Sequence, residues 1–220
     1  MEIQKRMMHK FPSALNPAAR VLLSSARLTL DEQSRQTLDE LLRTALDWEA
    51  LINHAVGHGV APLLYWHLSK KPEWWRGIPK PACDRLEGLY HHNVRRNELL
   101  LRELDWLLAV MHEANIPIML MKELHLLHTL YHEPGLRPLG DLDLLVRRED
   151  FACAQFLLRE TGYQPALRRN PFKDRYGFGY HLINHEKGIW IDLQWNLCQR
   201  EWAGEAGGSG KFRPPIQQIW

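Results

Sequence analysis

RPLGDLDLLV, residues 137–146, is the stretch whose reading decides the fold. A turn containing Pro138 and Gly140 leads into Asp141 and Asp143, which flank a leucine at the head of an apolar run. Strand side chains alternate faces, so carboxylates two residues apart point the same way at nearly the same height. Leu142 to Val146 is read as a strand, with Leu142, Leu144 and Val146 on the opposite face. Two like charges held this close repel each other, and a bound cation relieves the repulsion. The spacing equally suits a turn in which Asp141 caps local backbone and Asp143 faces water. Both readings are open from this stretch alone.

The flanks favour a sheet. Upstream, the pattern changes at Asn115: IPIMLM, residues 116–121, is a short apolar run headed by Pro117, as at a strand start. Lys122 to His132 reads as a helix with Leu124, Leu127 and Leu130 inside, stopped by Pro134 and Gly135. Downstream, Asp150 opens a helix through Glu160 that Gly162 closes. Tyr176 to Ile183 alternates and is rich in aromatics, and HEKG, 185–188, turns into a strand from Ile189 to Leu193. Strand, helix, strand, helix and hairpin make a small mixed sheet with helices against it.

Before Asn115 the chain is helical. Residues 1–17 read as a loose arm, followed by a short helix over 18–25. Asp31 caps a helix to about Leu42, and Asp47 caps the next, which Gly57 and Gly59 close. Val60 to Leu68 is entered through Pro62, KKPEWWRGIPKP is a connector, and Pro81 to Ala114 is one long amphipathic helix. The fold class is therefore α+β. Its expected parts are an N-terminal helical region, 1–114, an α/β core, 115–200, and a flexible Gly-rich and Pro-rich tail, 201–220.

Composition narrows the class of function. The 220 residues are long enough to bury a core, and 45% apolar with 25% charged residues is globular composition. A formal net charge of +2 is too small to imply general nucleic-acid or membrane binding. No apolar run approaches the ~20 residues of a bilayer span, so no membrane insertion is expected. Cys83, Cys153 and Cys198 are odd in number and far apart, and read as buried thiols in a reducing compartment, with the cytoplasm as the expected location. The nine tryptophans are read as core and helix-contact residues.

A third carboxylate, Asp192, lies in the run WIDLQW, residues 190–195. If its strand pairs near 142–146, it joins Asp141 and Asp143 on one face of the sheet, and such a set suits Mg²⁺. The alternative is that Asp192 pairs with a nearby Lys or Arg.

MLMKELHLLHTLYHEPGLRPLGDLDLLV, then GY at 162–163 and WIDLQW, resembles the uncharacterised nucleotidyltransferase-like proteins of the polymerase-β superfamily. WEALINHAVGHGVAPLLYWHL resembles their upstream helical region, so the likeness spans roughly residues 45–196. The resemblance implies a nucleotidyltransferase that moves a nucleoside monophosphate from a nucleoside triphosphate to an acceptor, a small molecule, protein or RNA. It implies Asp141, Asp143 and Asp192 as catalytic, metal-binding carboxylates for Mg²⁺ or Mn²⁺, and Lys122 and Arg137 as groups facing the triphosphate. Two positions depart from the family pattern. Glu123 stands where the family has glycine after its lysine, which places a negative charge beside the expected phosphates, and Gln194 stands for a histidine. A unit charge there costs on the order of 1–4 kcal/mol in a partly screened cleft, so weak nucleotide binding is expected. The alternative implied by Glu123 is a catalytically degenerate module that binds a nucleotide or a protein.

Weaker signals are set aside. His125, His128 and His132 fall at helical spacing without a fourth zinc ligand. GGSGK, 207–211, lacks the glycine spacing and the Ser or Thr of a phosphate loop. Arg168, Arg169, Lys173 and Arg175 form a local basic cluster that either meets phosphates or is a solvated loop.

Overall fold

The computed structural model describes residues 15–166 and 179–197. The basic cluster at 168–175, Cys198, GGSGK and the tail from 201 lie outside the described residues, as does most of the expected N-terminal arm. Eight helices and five strands follow in order within them: α1 (Pro17–Ser25), α2 (Glu32–Leu41), α3 (Trp48–Gly57), α4 (Ala61–Ser69), α5 (Pro72–Arg76), α6 (Lys80–Glu113), β1 (Ile118–Leu120), α7 (Lys122–Thr129), β2 (Leu142–Val146), α8 (Phe151–Glu160), β3 (Gln164–Pro165), β4 (Gly179–Asn184) and β5 (Ile189–Gln194). This is an α+β protein, with helices first and a small mixed sheet flanked by helices after them.

The described residues form two compact units, one reaching to Asn97 and including Tyr131–Pro138, the other comprising Glu98–Leu130 and the chain from Leu139. In the first unit, side-chain caps set the helix starts. Asn16, Asp31 and Asp47 accept hydrogen bonds from the amides of Ala19, Ser34 and Ala50 at 2.8, 2.8 and 3.0 Å. The apolar faces bury Val21, Leu38, Leu51, Ile52, Leu64, Leu68 and Leu86 in one core. The connector expectation fails at Pro72–Arg76. Pro72 serves as a first-turn residue there, Trp74 is buried, and its indole N–H donates to Asp39. The segment Tyr131–Pro138 lies against the N-terminal half of α6. Asn93 Nδ2 donates to the Gly135 carbonyl and Asn97 Nδ2 to that of Arg137, both at 2.7 Å. Only glycine fits at 135, because a Cβ there would stand 2.6–2.7 Å from Val94 and Tyr90 side-chain atoms.

The second unit is built on a five-stranded sheet of order β1-β2-β5-β4-β3. β1 and β2 are antiparallel, β2 and β5 parallel, and β5–β4 and β4–β3 antiparallel. All five residues of β2 are buried, so its apolar run and Asp143 alike are removed from water. HEKG forms the expected turn: Asn184 Oδ1 accepts from the amides of Glu186 and Lys187 at 3.1 Å each, and Gly188 supplies a φ of +61°. Helix α7 stops at Thr129, before the expected end, which leaves His132 beyond it and in the other unit. Asp150 precedes α8 without a side-chain cap, and the short strand β3 was not foreseen. Cys83 is buried, but Cys153 is exposed, contrary to the reading of the thiols. The tryptophans divide similarly, with Trp74 buried and Trp106 and Trp190 exposed. No helix among the described residues is long and apolar enough to cross a membrane.

A polar triad ties the C-terminal half of α6 to the sheet. Glu103 accepts from the hydroxyl of the buried Tyr163 at 2.9 Å, and both its oxygens lie 2.8 Å from Lys187 Nζ. Replacing Glu103 with leucine strips a buried hydroxyl of its ionised acceptor and should destabilise the protein by about 2–3 kcal/mol. Adding Tyr163→Phe should recover part of that loss, because no polar atom is then left unpaired at 163. Urea unfolding of the single and double variants measures both effects, and additive losses would contradict the coupling.

Candidate functional site

Parallel pairing of β2 with β5 places Asp143 opposite Asp192, and antiparallel pairing of β5 with β4 places His181 opposite Asp192. Three chemically active side chains thus stand in a row across three strands, on one face by the pleat. Gln194, two residues after Asp192, joins that face and donates to Asp192 Oδ2 at 2.7 Å, with Asp143 Oδ1 at 3.5 Å. His181 Nδ1 lies 3.4 Å from Asp192 Oδ1. Gly179 leaves room for the pair. A Cβ there would stand 2.9 Å from Gln194 Cγ, 3.0 Å from the Leu193 carbonyl oxygen and 3.3 Å from Asp192 Oδ1.

Lys122 enters from the other side of β2. The amide of Met121 donates to the Asp143 carbonyl at 3.0 Å, which extends the β1–β2 ladder to the residue just before α7. At Lys122 the backbone turns into the left-handed region with φ +47°, and the helix follows. Its ammonium donates to Asp143 Oδ1 and lies 3.6 Å from Asp192 Oδ2. Asp141 is half-buried, just outside the strand rather than within it, and its charge acts on both Asp143 and Lys122. Arg137 belongs to the first unit, where its main-chain carbonyl is held by Asn97. Glu123 follows in the first turn of α7, half-buried and without a positive φ. The left-handed residue is Lys122, so at 123 a glycine would differ by lacking bulk and charge, not by permitting the backbone.

Burial is the largest influence on Asp143 and pushes its carboxyl up to about 6. The Lys122 hydrogen bond and charge oppose the rise, while the charges of Asp141 and Asp192 add to it. Lys122 is affected in the converse way. Burial pulls its ammonium down, but the Asp143 hydrogen bond and the charges of Asp143, Asp192 and Asp141 outweigh it and raise the net value.

A family model described as an uncharacterised nucleotidyltransferase matches residues 44–212, more than half of the chain. The chain belongs to this nucleotidyltransferase family. Its wider group is the polymerase-β superfamily, in which metal use is general. Comparison with curated proteins finds no match.

For a member of such a family the question is whether these residues suit a divalent cation. Among the described residues, no group of three or more His, Cys, Asp or Glu side chains is gathered to hold a metal ion. The donor chemistry does fit one: two buried carboxylates side by side offer hard oxygens, and a cation already stands on them, the Lys122 ammonium. Of the two readings of Asp192, the partner of a basic side chain is seen in Lys122 at 3.6 Å from its Oδ2, and a metal ion would use the same carboxylate. His181 was missed from the sequence. The signal was present, since pairing outward from Asn184 and Ile189 around HEKG brings 181 to 192.

The raised Asp143 fixes a pH dependence for the metal-free protein. Its folded-state value lies above the unfolded ~3.9, so the neutral form favours folding, fully below about pH 4, and that contribution is lost as pH rises through about 6. Asparagine at 143 has no such loss. Asp143→Asn should therefore gain on the wild type by about 3 kcal/mol between about pH 4 and pH 7 in metal-free buffer. Denaturant unfolding at several pH values checks this, and a difference that does not change with pH would contradict it.

Proposed function

We propose that this chain is a nucleotidyltransferase that moves a nucleoside monophosphate from a nucleoside triphosphate to a hydroxyl or phosphate acceptor. The observation that carries the reading is the register of Asp143 with Asp192, two buried carboxylates with a cation on them, in a chain of this family. The acceptor oxygen bonds to the α-phosphorus, the bond from that phosphorus to its bridging oxygen breaks, and pyrophosphate leaves with the electron pair. Asp141, Asp143 and Asp192 would hold a Mg²⁺ or Mn²⁺ ion, which would supply positive charge against the triphosphate. Asp192 takes the proton of an acceptor hydroxyl, with Gln194 and His181 fixing its carboxylate. Lys122 adds charge toward the triphosphate, and the assignment of Arg137 to the same task rests on the family motif.

A second reading, a degenerate module that binds nucleotide or protein without turnover, is favoured by Glu123 in the first turn of α7. One experiment separates the two. With Mg²⁺ or Mn²⁺ and an α-labelled nucleoside triphosphate, the wild type should release pyrophosphate and transfer label to an acceptor pool. Asp143→Asn and Asp192→Asn should each reduce both by roughly 100-fold or more, the scale of losing one preorganised transition-state contact. Nucleotide binding without turnover in the wild type and in Glu123→Gly would support the degenerate module. Glu123→Gly should bind the nucleotide roughly tenfold more tightly, through removal of one charge from beside the phosphates. Unchanged affinity in a folded variant would show that Glu123 is no obstruction.

A further inference from the structure

Resting on the nucleotidyltransferase reading, we propose that Lys122 is the resident cation of the carboxylate site, and that a divalent metal ion enters only by displacing its ammonium from Asp143. The two cations would compete for the same atom. Lys122 donates to Asp143 Oδ1 and lies 3.6 Å from Asp192 Oδ2, on two residues paired across β2 and β5. Two positive centres cannot share one carboxylate oxygen at contact distance without strong repulsion, which is least screened where water is excluded. Gln194 also donates to Asp192 Oδ2, so that carboxylate keeps a hydrogen-bond donor when the lysine leaves.

Exposure shows which partner moves. The Lys122 side chain is 51% exposed, while those of Asp143 and Asp192 are 3% and 10% exposed. The carboxylates are fixed by strand pairing, whereas the lysine has solvent on one side and four rotatable side-chain bonds. It can leave without any change in the sheet. Its backbone is held in the left-handed region, which costs an ordinary residue free energy and is tolerated where other contacts compensate. The ion pair with Asp143 is one such contact, and it aims the side chain at the site from the first residue of α7. In the absence of metal the lysine supplies a positive charge to this buried carboxylate pair. With metal bound it is freed, and a free ammonium beside the site can meet an anionic ligand. Metal binding and triphosphate binding are then linked through one side chain.

The test is Mn²⁺ binding without nucleotide, read from the loss of the free-ion electron paramagnetic resonance signal. It is run at about pH 8 so that proton competition at Asp143 is small. Lys122→Met and Lys122→Gln remove the competing charge and should bind Mn²⁺ roughly tenfold more tightly than the wild type, or better. Lys122→Arg keeps the charge and should stay near the wild type, and Asp143→Asn should lose the site. Mn²⁺ should also raise the melting temperature of Lys122→Gln more than that of the wild type, where one cation only replaces another. Equal or weaker Mn²⁺ binding in a folded Lys122→Met or Lys122→Gln, with binding still lost in Asp143→Asn, would overturn the displacement while leaving the metal site standing. Absence of binding in the wild type and in both charge-removal variants would overturn the site together with the displacement.

Discussion

Two carboxylates buried side by side need a positive charge between them, and much of the second unit is arranged around meeting that need at Asp143 and Asp192. Both are buried, and the parallel register of β2 and β5 denies them the distance that would relieve their repulsion. Burial of β2 on all five residues makes the arrangement costly and also rigid. What surrounds the pair reads as compensation: an amide from Gln194, a ring nitrogen of His181 and the ammonium of Lys122. In the proposed function, a metal ion would meet the same need, and this would link sheet topology to the chemistry of the family.

The supporting structure places each compensating group through the backbone. β1 pairs with β2 up to Leu120, Met121 adds one more amide bond to Asp143, and the left-handed turn at Lys122 comes next. The four-residue turn at 185–188 sets the β4–β5 register and so brings His181 to Asp192. The Glu103–Tyr163–Lys187 triad joins the last residues of that turn to the C-terminal half of α6. In the first unit, Asn93 and Asn97 hold the carbonyls of Gly135 and Arg137.

Local signals in the sequence carried most of the helices and four of the five strands. Asp31 and Asp47 cap where their spacing from apolar runs said they would, and the period change at Asn115 marks where strands begin. The Asp-Leu-Asp stretch was legible as a strand, but its first carboxylate is not in it: Asp141 stands in the bend before Leu142. The features that were missed depend on distant partners. Gln164–Pro165 is a strand only because β4 lies beside it, and Pro72–Arg76 is a helix capped by no side chain and anchored by Trp74. The seat of Lys122 on Asp143 joins residues far apart in the chain, and no periodicity reports it. At Glu123 the departure from the family motif is one of bulk and charge, because the left-handed backbone belongs to Lys122.

The central claim is that Asp143 and Asp192 together form a cation site that a metal and Lys122 occupy in turn. Anomalous diffraction from crystals grown with Mn²⁺ and a non-hydrolysable nucleoside triphosphate tests it most directly. The account predicts a manganese peak between these two carboxylates with the Lys122 ammonium withdrawn from Asp143. Manganese absent from that position at saturating concentration, with Lys122 still seated on Asp143, would contradict it.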